Sequence, residues 1–243
     1  MSSDLTALDS YGWEAIRKCL NQRVVMVKAQ LVPSNDNRVW IVETDVRPVV
    51  VKLFLSGRCG EEFESLVRAR QAGVDVPLPL HTEGDYMVME YISGEPCDWL
   101  INKMFSSPAA AGIGSWLADF HEKLGTRDRP VVMADAVLPN FVMKDKRVFG
   151  MDLEKSGPGD PLEDLGQMCS SILASEPFFT PIKFDLCMQM LLSYEKKLGV
   201  EAVESVRPFV AKCLRISAQS RPLFRRTFLK AAEALEIAWP KLA

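Results

Sequence analysis

The hydrophobic pattern of this chain changes period near residue 97, and this change limits the folds it can adopt. Before that point, segments rich in Val and Ile alternate with turn residues, at positions 23–32, 37–44 and 47–55. This pattern is typical of strands joined by turns, and it predicts three adjacent antiparallel strands. After that point the period is helical, and from Pro161 it stays so for nearly the whole remainder.

The sheet-rich part also contains helical segments. A short amphipathic helix is predicted at 11–20, and a second at 61–74, where Gly73 stands at the expected end. The apolar segment 85–92 is predicted to be another strand, and His81 is assigned to a turn before it. The sequence therefore predicts a small domain of residues 1–92 and a larger helical domain of residues 93–243, with a hinge at 90–93.

Composition excludes several classes of function. The chain has 243 residues and a net charge of -3, which argues against a protein built mainly to coat nucleic acid. Its six cysteines show no CxxC pair, so reduced thiols in the cytoplasm are expected. No apolar segment is long enough to suggest a membrane span.

The segment 133–160 carries the most informative polar residues. Valines and aromatic residues flank Lys144-Asp145-Lys146, which predicts a hairpin with Asn140 before its first strand and Asp152 after its second. A hairpin brings its ends together, and amide and carboxylate oxygens are ligands that suit Mg²⁺. Asp135 precedes Asn140 by five positions and is predicted to face the same point, free to accept a proton.

A lysine in the small domain is the second unusual feature. Lys52 ends the apolar run "VVVK", and burial of its ammonium group is costly unless the group is paired. Glu62 or Glu64 on the next helix could be its partner, and phosphate groups of a ligand could be another. The alternative is a strand-end lysine whose ammonium group reaches solvent.

Taken in order, these segments resemble the protein-kinase-like superfamily. The resemblance rests on "VVVK", a helix followed by "GVDVP", "MVMEYI", "DAVLPN", "GMDLE" and "GDPLEDLG", with Asp135, Asn140 and then an Asp twelve positions further. Within the superfamily the chain is most similar to aminoglycoside phosphotransferase-like kinases, the RIO and Bud32-type atypical kinases, and lipopolysaccharide-core sugar kinases. The resemblance implies a two-lobed α+β fold, with a small antiparallel-sheet lobe and a larger helical lobe.

The resemblance also implies a role for each matching residue. Asp135 would orient an acceptor hydroxyl and take its proton, while Asn140 and Asp152 would bind Mg²⁺. Lys52 would contact the α- and β-phosphates of ATP, with Glu62 as its helix partner and Glu64 as the second candidate. These assignments make ATP and Mg²⁺ the expected cofactors.

Other matching residues would form the nucleotide pocket or support the loop. Met89 would lie behind the adenine ring, and the carbonyl of Glu90 and the N–H of Ile92 would bind its edge. Ser34 and Asn35, in the turn "PSNDN", would donate hydrogen bonds to phosphate. Asp164 is interpreted as a structural residue that holds the catalytic loop, and His121 as a packed or capping group.

The chain departs from the family pattern in two places. Where these families have His-Gly-Asp or His-Arg-Asp, this chain has Met133-Ala134-Asp135, and the turn over the phosphates contains no glycine. The expected function is transfer of the γ-phosphoryl group of ATP to a hydroxyl of a small molecule, such as a sugar or an aminoglycoside-like acceptor. The alternatives are an atypical Ser/Thr protein kinase, which would act on a protein substrate, and a nucleotide-binding pseudokinase.

Two features bear on the acceptor. A kinase for aminoglycoside-like compounds or amino alcohols is expected to have an acid-lined pocket formed by the last helices. Basic residues gather near the C-terminus, at Arg215, Arg221, Arg225, Arg226 and Lys230. They could bind an anionic acceptor, or they could simply form a solvated helix face.

Overall fold

The computed structural model describes residues 8, 10–19, 24–28 and 37–239. The chain divides into two compact units. The first unit comprises Met1–Gln71 and Val76–Ser93, and the second comprises Ala72–Asp75 and Gly94–Ala243.

The first unit is a five-stranded antiparallel sheet with helices. Its elements are α1 (Ser10–Cys19), β1 (Val24–Lys28), β2 (Asn37–Thr44), β3 (Val49–Phe54), α2 (Cys59–Gln71), β4 (Pro79–Glu83) and β5 (Tyr86–Glu90). The strand order is β1-β2-β3-β5-β4. Because β1, β2 and β3 are consecutive antiparallel neighbours, the predicted three-stranded arrangement is confirmed.

The alternation of side chains in β2 and β3 builds the core of this unit. Trp40 and Val42 of β2 are buried with Val49 and Val51 of β3, and Ile16 of α1 packs into the same cluster. β-branched and aromatic side chains pack well on a pleated, half-buried surface, so these segments form strands. The predicted helix that ends at Gly73 is also confirmed, because α2 ends at Gln71 and Gly73 has a left-handed backbone with φ of +75°.

One prediction in this unit is wrong. His81 lies in strand β4, where it is paired with Val88 of β5, and not in a turn. The turn is two residues, at Gly84 and Asp85, and it joins β4 to β5. The prolines at 77 and 79 hid this short strand, since proline is confined to strand ends and sheet edges.

The second unit is mainly helical, as the sequence predicted. Its helices are α3 (Cys97–Asn102), α4 (Ser107–Leu124), α5 (Pro161–Leu173), α6 (Pro181–Leu198), α7 (Arg207–Gln219) and α8 (Arg225–Ile237). Short strands complete it: β6 (Glu95–Pro96), β7 (Val131–Val132), β8 (Phe141–Lys144), β9 (Arg147–Gly150) and β10 (Gly157–Pro158). Within the part of the chain that the structure describes, no helix is both long and apolar enough to cross a membrane.

Capping residues fix where the important helices begin. The Ser106 hydroxyl accepts a hydrogen bond from the N–H of Ala109 at the start of α4, and the Asp160 carboxylate accepts one from Leu162 at the start of α5. Each helix then has proline in its first turn, where no backbone donor is needed. The cap at Asp160 sets the position of α5, which carries Asp164.

Helices α4 and α6 approach closely at one glycine. A Cβ atom added at Gly114 would lie 2.0 Å from the carbonyl oxygen of Met190 in α6. A backbone carbonyl cannot rotate away as a side chain can, so any larger residue would push the helices apart.

We therefore expect Gly114→Ala to lower the free energy of unfolding by roughly 2 to 3 kcal/mol, the cost of overpacking a tight core contact. The matched control is Gly60→Ala in α2, where nothing lies within 4 Å of the added Cβ. Better helix propensity makes the control neutral or stabilising by about 0.5 kcal/mol. Urea unfolding of both variants is the measurement, and equal stability of the two would contradict the close approach.

Candidate functional site

In the first unit, Lys52 forms a buried ion pair with Glu62. The Lys52 Nζ lies 2.6 Å from Glu62 Oε2, and their side chains are only 6% and 1% exposed. Of the two candidate partners, Glu64 is exposed, so the pairing of Lys52 with Glu62 is confirmed. The Phe54 ring centroid is 4.6 Å from the same Nζ, which adds a cation–π contact.

The residues predicted to contact adenine lie at the end of β5. Met89 is 8% exposed and is paired with Val50 of β3. Glu90 makes two hydrogen bonds with Leu78, the residue before β4. The Glu90 N–H donates to the Leu78 carbonyl at 2.9 Å, and the Glu90 Oε2 accepts from the Leu78 N–H at 3.1 Å. Ile92 has a buried side chain. Their adenine contacts remain predictions, and Ser34 and Asn35 lie outside the described residues.

In the second unit, Asp164 of α5 holds the loop that carries Asp135. Its Oδ2 accepts a hydrogen bond from the Met133 N–H at 2.6 Å, and its Oδ1 accepts one from the Ala134 N–H at 2.9 Å. The Asp164 carboxylate is completely buried. The interpretation of Asp164 as a structural residue for this loop is therefore confirmed.

Ala134 adopts a backbone conformation that favours glycine. Its φ is +61°, in the left-handed region that costs a residue with a Cβ about 1 kcal/mol or more. The hydrogen bond from its N–H to Asp164 helps to hold this conformation. Ala134 is also the position that carries glycine in the His-Gly-Asp pattern, and here an alanine adopts the left-handed conformation.

His121 of α4 supports Asp164 from the other side. Its Nε2 lies 3.0 Å from Asp164 Oδ2 and its Nδ1 lies 3.0 Å from the Tyr194 hydroxyl. Burial, followed by the charge of Asp164, raises the pKa of Tyr194, so the phenol stays protonated. A carboxylate oxygen can only accept a hydrogen bond, so the Nε2–H group of His121 donates to Asp164. His121 is thus a packed, hydrogen-bonded group, as predicted.

The predicted hairpin forms and joins the loop to the segment of Asp152. Strands β8 and β9 pair from Phe141↔Gly150 to Lys144↔Arg147, across a two-residue turn with positive φ at both positions. At the open end, the N–H of Met151 donates to the Asn140 carbonyl at 2.8 Å. Asp152 follows directly and also has a positive φ, of +63°.

Asp135 and Asn140 are fixed to one another through the loop backbone. The Asn140 Nδ2 donates to the Asp135 carbonyl at 3.0 Å, so the amide oxygen is the atom that Asn140 can offer to a cation. The Asp135 side chain accepts a hydrogen bond from Lys155 Nζ at 2.9 Å. Lys155 was not predicted from the sequence, because its contact depends on the path of the chain after the hairpin.

Glu154 is a second residue that sequence reasoning missed. One carboxylate oxygen of Glu154 lies within 4.8 Å of one of Asp152, and Glu154 is 7% exposed. The sequence signal that could have identified Glu154 is the alternation in "GMDLE", where Asp152 and Glu154 are two positions apart. Two carboxylates this close favour a cation between them, and their oxygens, with that of Asn140, are the hard donors that suit Mg²⁺.

Comparisons with known proteins show what this chain is similar to. A family profile described as "Phosphotransferase enzyme family" (APH) matches residues 28–130, which is less than half of the chain. A search of curated proteins gives no significant match.

Solved structures with the same fold are kinases by their descriptions. The amicoumacin kinase hAmiN, in complex with AMP-PNP, Ca²⁺ and Ami, has a TM-score of 0.66 at 11% identity, over 91% of this chain and 92% of that chain. The streptomycin–ATP complex of APH(2")-IIa has a TM-score of 0.61 at 14% identity, over 95% and 99%. A choline/ethanolamine kinase family protein from Mesorhizobium loti has a TM-score of 0.61 at 16% identity, over 87% and 88%.

These similarities establish the fold. The chain has the α+β fold of the protein-kinase-like superfamily, and the resemblance to its aminoglycoside phosphotransferase-like branch is confirmed. The family match and the structural neighbours also support the prediction of a kinase enzyme.

The buried ion pair gives a stability prediction. Lys52→Met or Glu62→Leu alone leaves one buried charge without its partner, so each should lower the free energy of unfolding by roughly 3 to 5 kcal/mol. The double variant should lose much less than the sum of the two. Chemical unfolding of all four proteins checks this, with Glu61→Gln, which removes the exposed pair with Arg58, as a control within about 0.5 kcal/mol of wild type. Strict additivity of the two losses would show that the charges are not coupled.

The hydrogen bonds between the loop and Asp164 give a second stability prediction. Asp164→Asn replaces one acceptor oxygen with an N–H₂ group that faces a donor, so we expect a loss of roughly 2 to 4 kcal/mol in unfolding free energy. The control is Asp145→Asn in the exposed hairpin turn, where asparagine tolerates a positive φ. Hydrogen exchange should report faster exchange at Met133 and Ala134 in Asp164→Asn only. Unchanged protection of these two amides would refute the role of Asp164.

Proposed function

We propose that this protein is an ATP-dependent kinase that transfers the γ-phosphoryl group of ATP to a hydroxyl group of a small molecule, such as a sugar. The observation that carries the proposal is the connected loop and hairpin of the second unit. The Asn140 side-chain amide donates to the carbonyl of Asp135, and the Met151 N–H donates to the carbonyl of Asn140. Asp135, Asn140 and Asp152, which follows Met151, therefore belong to one hydrogen-bonded segment.

In the proposed reaction, the acceptor oxygen attacks the γ-phosphorus and forms a new P–O bond. The bond between the γ-phosphorus and the bridging oxygen to the β-phosphate breaks, and ADP leaves with that oxygen. The hydroxyl proton passes to the carboxylate of Asp135. Lys155, in contact with this carboxylate, holds it in place before the acceptor arrives.

The remaining roles concern the nucleotide. Asn140 and Asp152, with Glu154, are proposed to hold Mg²⁺, which would neutralise phosphate charge. Lys52, fixed by Glu62, is proposed to contact the α- and β-phosphates, and Met89, Glu90 and Ile92 to form the adenine pocket. Most of the rate acceleration in phosphoryl transfer comes from such positioning and charge stabilisation, and little from covalent chemistry of the protein.

A small-molecule acceptor is the favoured substrate class. The descriptions of two structural neighbours name complexes with the small molecules streptomycin and gentamicin. Another neighbour is described as a choline/ethanolamine kinase family protein, and choline and ethanolamine are also small molecules. We place the reaction in the cytoplasm, where ATP and Mg²⁺ are available and where thiols such as those of Cys59, Cys97 and Cys169 stay reduced.

The test separates nucleotide binding from transfer. We expect MgATP to raise the melting temperature of the wild type and of Asp135→Asn, and to have little effect on Asp152→Ala. Because Asp135→Asn keeps its shape but cannot take a proton, its ATP hydrolysis should fall by about 100-fold or more. Release of labelled phosphate from ATP is the measurement.

Asp145→Asn, in the hairpin turn, is the control for both readouts. A wild type that binds MgATP without any turnover would make the protein a nucleotide-binding pseudokinase. Turnover by Asp135→Asn at the wild-type rate would exclude Asp135 as the base.

A further inference from the structure

A groove of the second unit runs beside Asp135. Its volume is about 520 Å³, and its walls come from α3, the loop of Asp135, α5, α7 and Arg221. This size is usual for a small-molecule site. All of its lining residues belong to the second unit, and Asp135 is among them, so a molecule bound here would reach the proposed base.

The groove is lined by charges of both signs, two carboxylates and one guanidinium. It contains the carboxylates of Asp98 and Asp135 and the guanidinium of Arg221, and the Asp135 carboxylate is already paired with Lys155. A polycationic acceptor needs several carboxylates without cationic partners. Because the Asp135 carboxylate is already paired, the groove offers one carboxylate, that of Asp98, to a cationic acceptor, which is fewer than a polycationic compound would require.

Arg221 is held in a fixed position and still has donors to offer. One of its terminal nitrogens donates to the Ala174 carbonyl at 2.9 Å, and its guanidinium carbon lies 5.1 Å from the centroid of the buried Phe228 ring. Its other N–H groups have no protein acceptor within the described residues. An anchored guanidinium with open N–H groups is suited to bidentate recognition of carboxylate or phosphate.

Asn102 presents a second donor, because its oxygen is occupied. The Asn102 Oδ1 accepts hydrogen bonds from Lys183 Nζ at 2.5 Å and from the Ser175 hydroxyl at 2.6 Å. The group left for a ligand in the groove is therefore the Nδ2 amide. Asn102 and Ser175 both line the groove, while Lys183 lies fully buried behind them.

Lys183 adds positive charge behind this wall. Its ammonium group also donates to the carbonyl of Ile172 in α5 and to that of Ser175, just after the helix, at 3.0 and 3.1 Å. Burial lowers the pKa of Lys183 to about 8, so the group stays mostly protonated at pH 7. A buried cation acts over a longer range than an exposed one, since water screens it less.

We propose that this groove binds the acceptor, and that the acceptor is a polyhydroxy compound with one anionic group, held by Arg221 and by the Asn102 amide, while its hydroxyl faces Asp135. The proposal rests on the kinase function for the reaction itself. The anionic group can be a carboxylate, as in a sugar acid, or a phosphate, as in a sugar phosphate. Of the basic residues near the C-terminus, Arg221 is the one that lines this groove, whereas Arg215 is paired with Glu236.

The test measures binding without ATP, with probes matched on one scaffold. The probes are glucose, glucosamine, glucuronate and glucose 6-phosphate, together with ribose and ribose 5-phosphate, each titrated by calorimetry. We expect at least one anionic probe to bind about tenfold to a hundredfold more tightly than its neutral parent, the gain of a charge-assisted bidentate contact. Glucosamine should bind no more tightly than glucose. Comparison of glucuronate with glucose 6-phosphate separates carboxylate from phosphate recognition.

Variants of Arg221 make the result specific. Arg221→Gln should abolish the anion preference. Arg221→Lys should keep part of it, because lysine retains the positive charge but lacks the paired N–H donors of the guanidinium group. Arg226→Gln, an exposed arginine on α8, is the matched control and should behave as wild type. Unchanged melting temperatures verify that the variants are folded.

Two results would overturn the proposal: no anion preference in any matched pair, or an equal loss in Arg226→Gln and Arg221→Gln. The result of the anion-binding titrations is independent of the kinase proposal, which is tested by MgATP binding and turnover. Anion binding that depends on Arg221, in a protein that does not hydrolyse ATP, would support the groove and reject the kinase.

Discussion

The buried carboxylate of Asp164 is the interaction on which the candidate site of the second unit depends. It accepts hydrogen bonds from two consecutive backbone N–H groups, Met133 and Ala134, and a third from His121. A buried carboxylate needs several donors to offset its lost hydration, and these three supply them. In return, the loop backbone is held in a conformation that its own sequence does not favour, and Asp135 is placed next to the hairpin.

Much of the fold follows from local patterns in the sequence. Alternating Val and Ile predict β2 and β3, the helical period predicts α4 to α8, and the polar turn at Asp145 predicts the hairpin, because each signal lies within a dozen residues. Lys52 could be identified because a charge in an apolar strand is costly and demands a partner. Strand β4 was missed because Pro79, and Pro77 just before the strand, look like loop residues.

The contacts between distant segments were harder to predict. Lys155 reaches Asp135 across 20 positions, and Asn102 meets Lys183 across 81. No local period reports such pairs, since they depend on how helices pack. The same applies to Arg221: the sequence shows a cluster of basic residues, but only the packing of α5, α7 and α8 selects the one that enters the groove.

The left-handed backbone of Ala134 has a consequence for how relatives of this chain are recognised. A search for His-Gly-Asp or His-Arg-Asp would miss this chain, although Asp164 holds Ala134 in a left-handed conformation without either of those residues. In this chain, the loop is held by two backbone donors, the N–H groups of Met133 and Ala134, that point at a buried acid on the following helix. A search pattern that adds this acid, at the spacing between Asp135 and Asp164, would recognise this chain where the tripeptide does not.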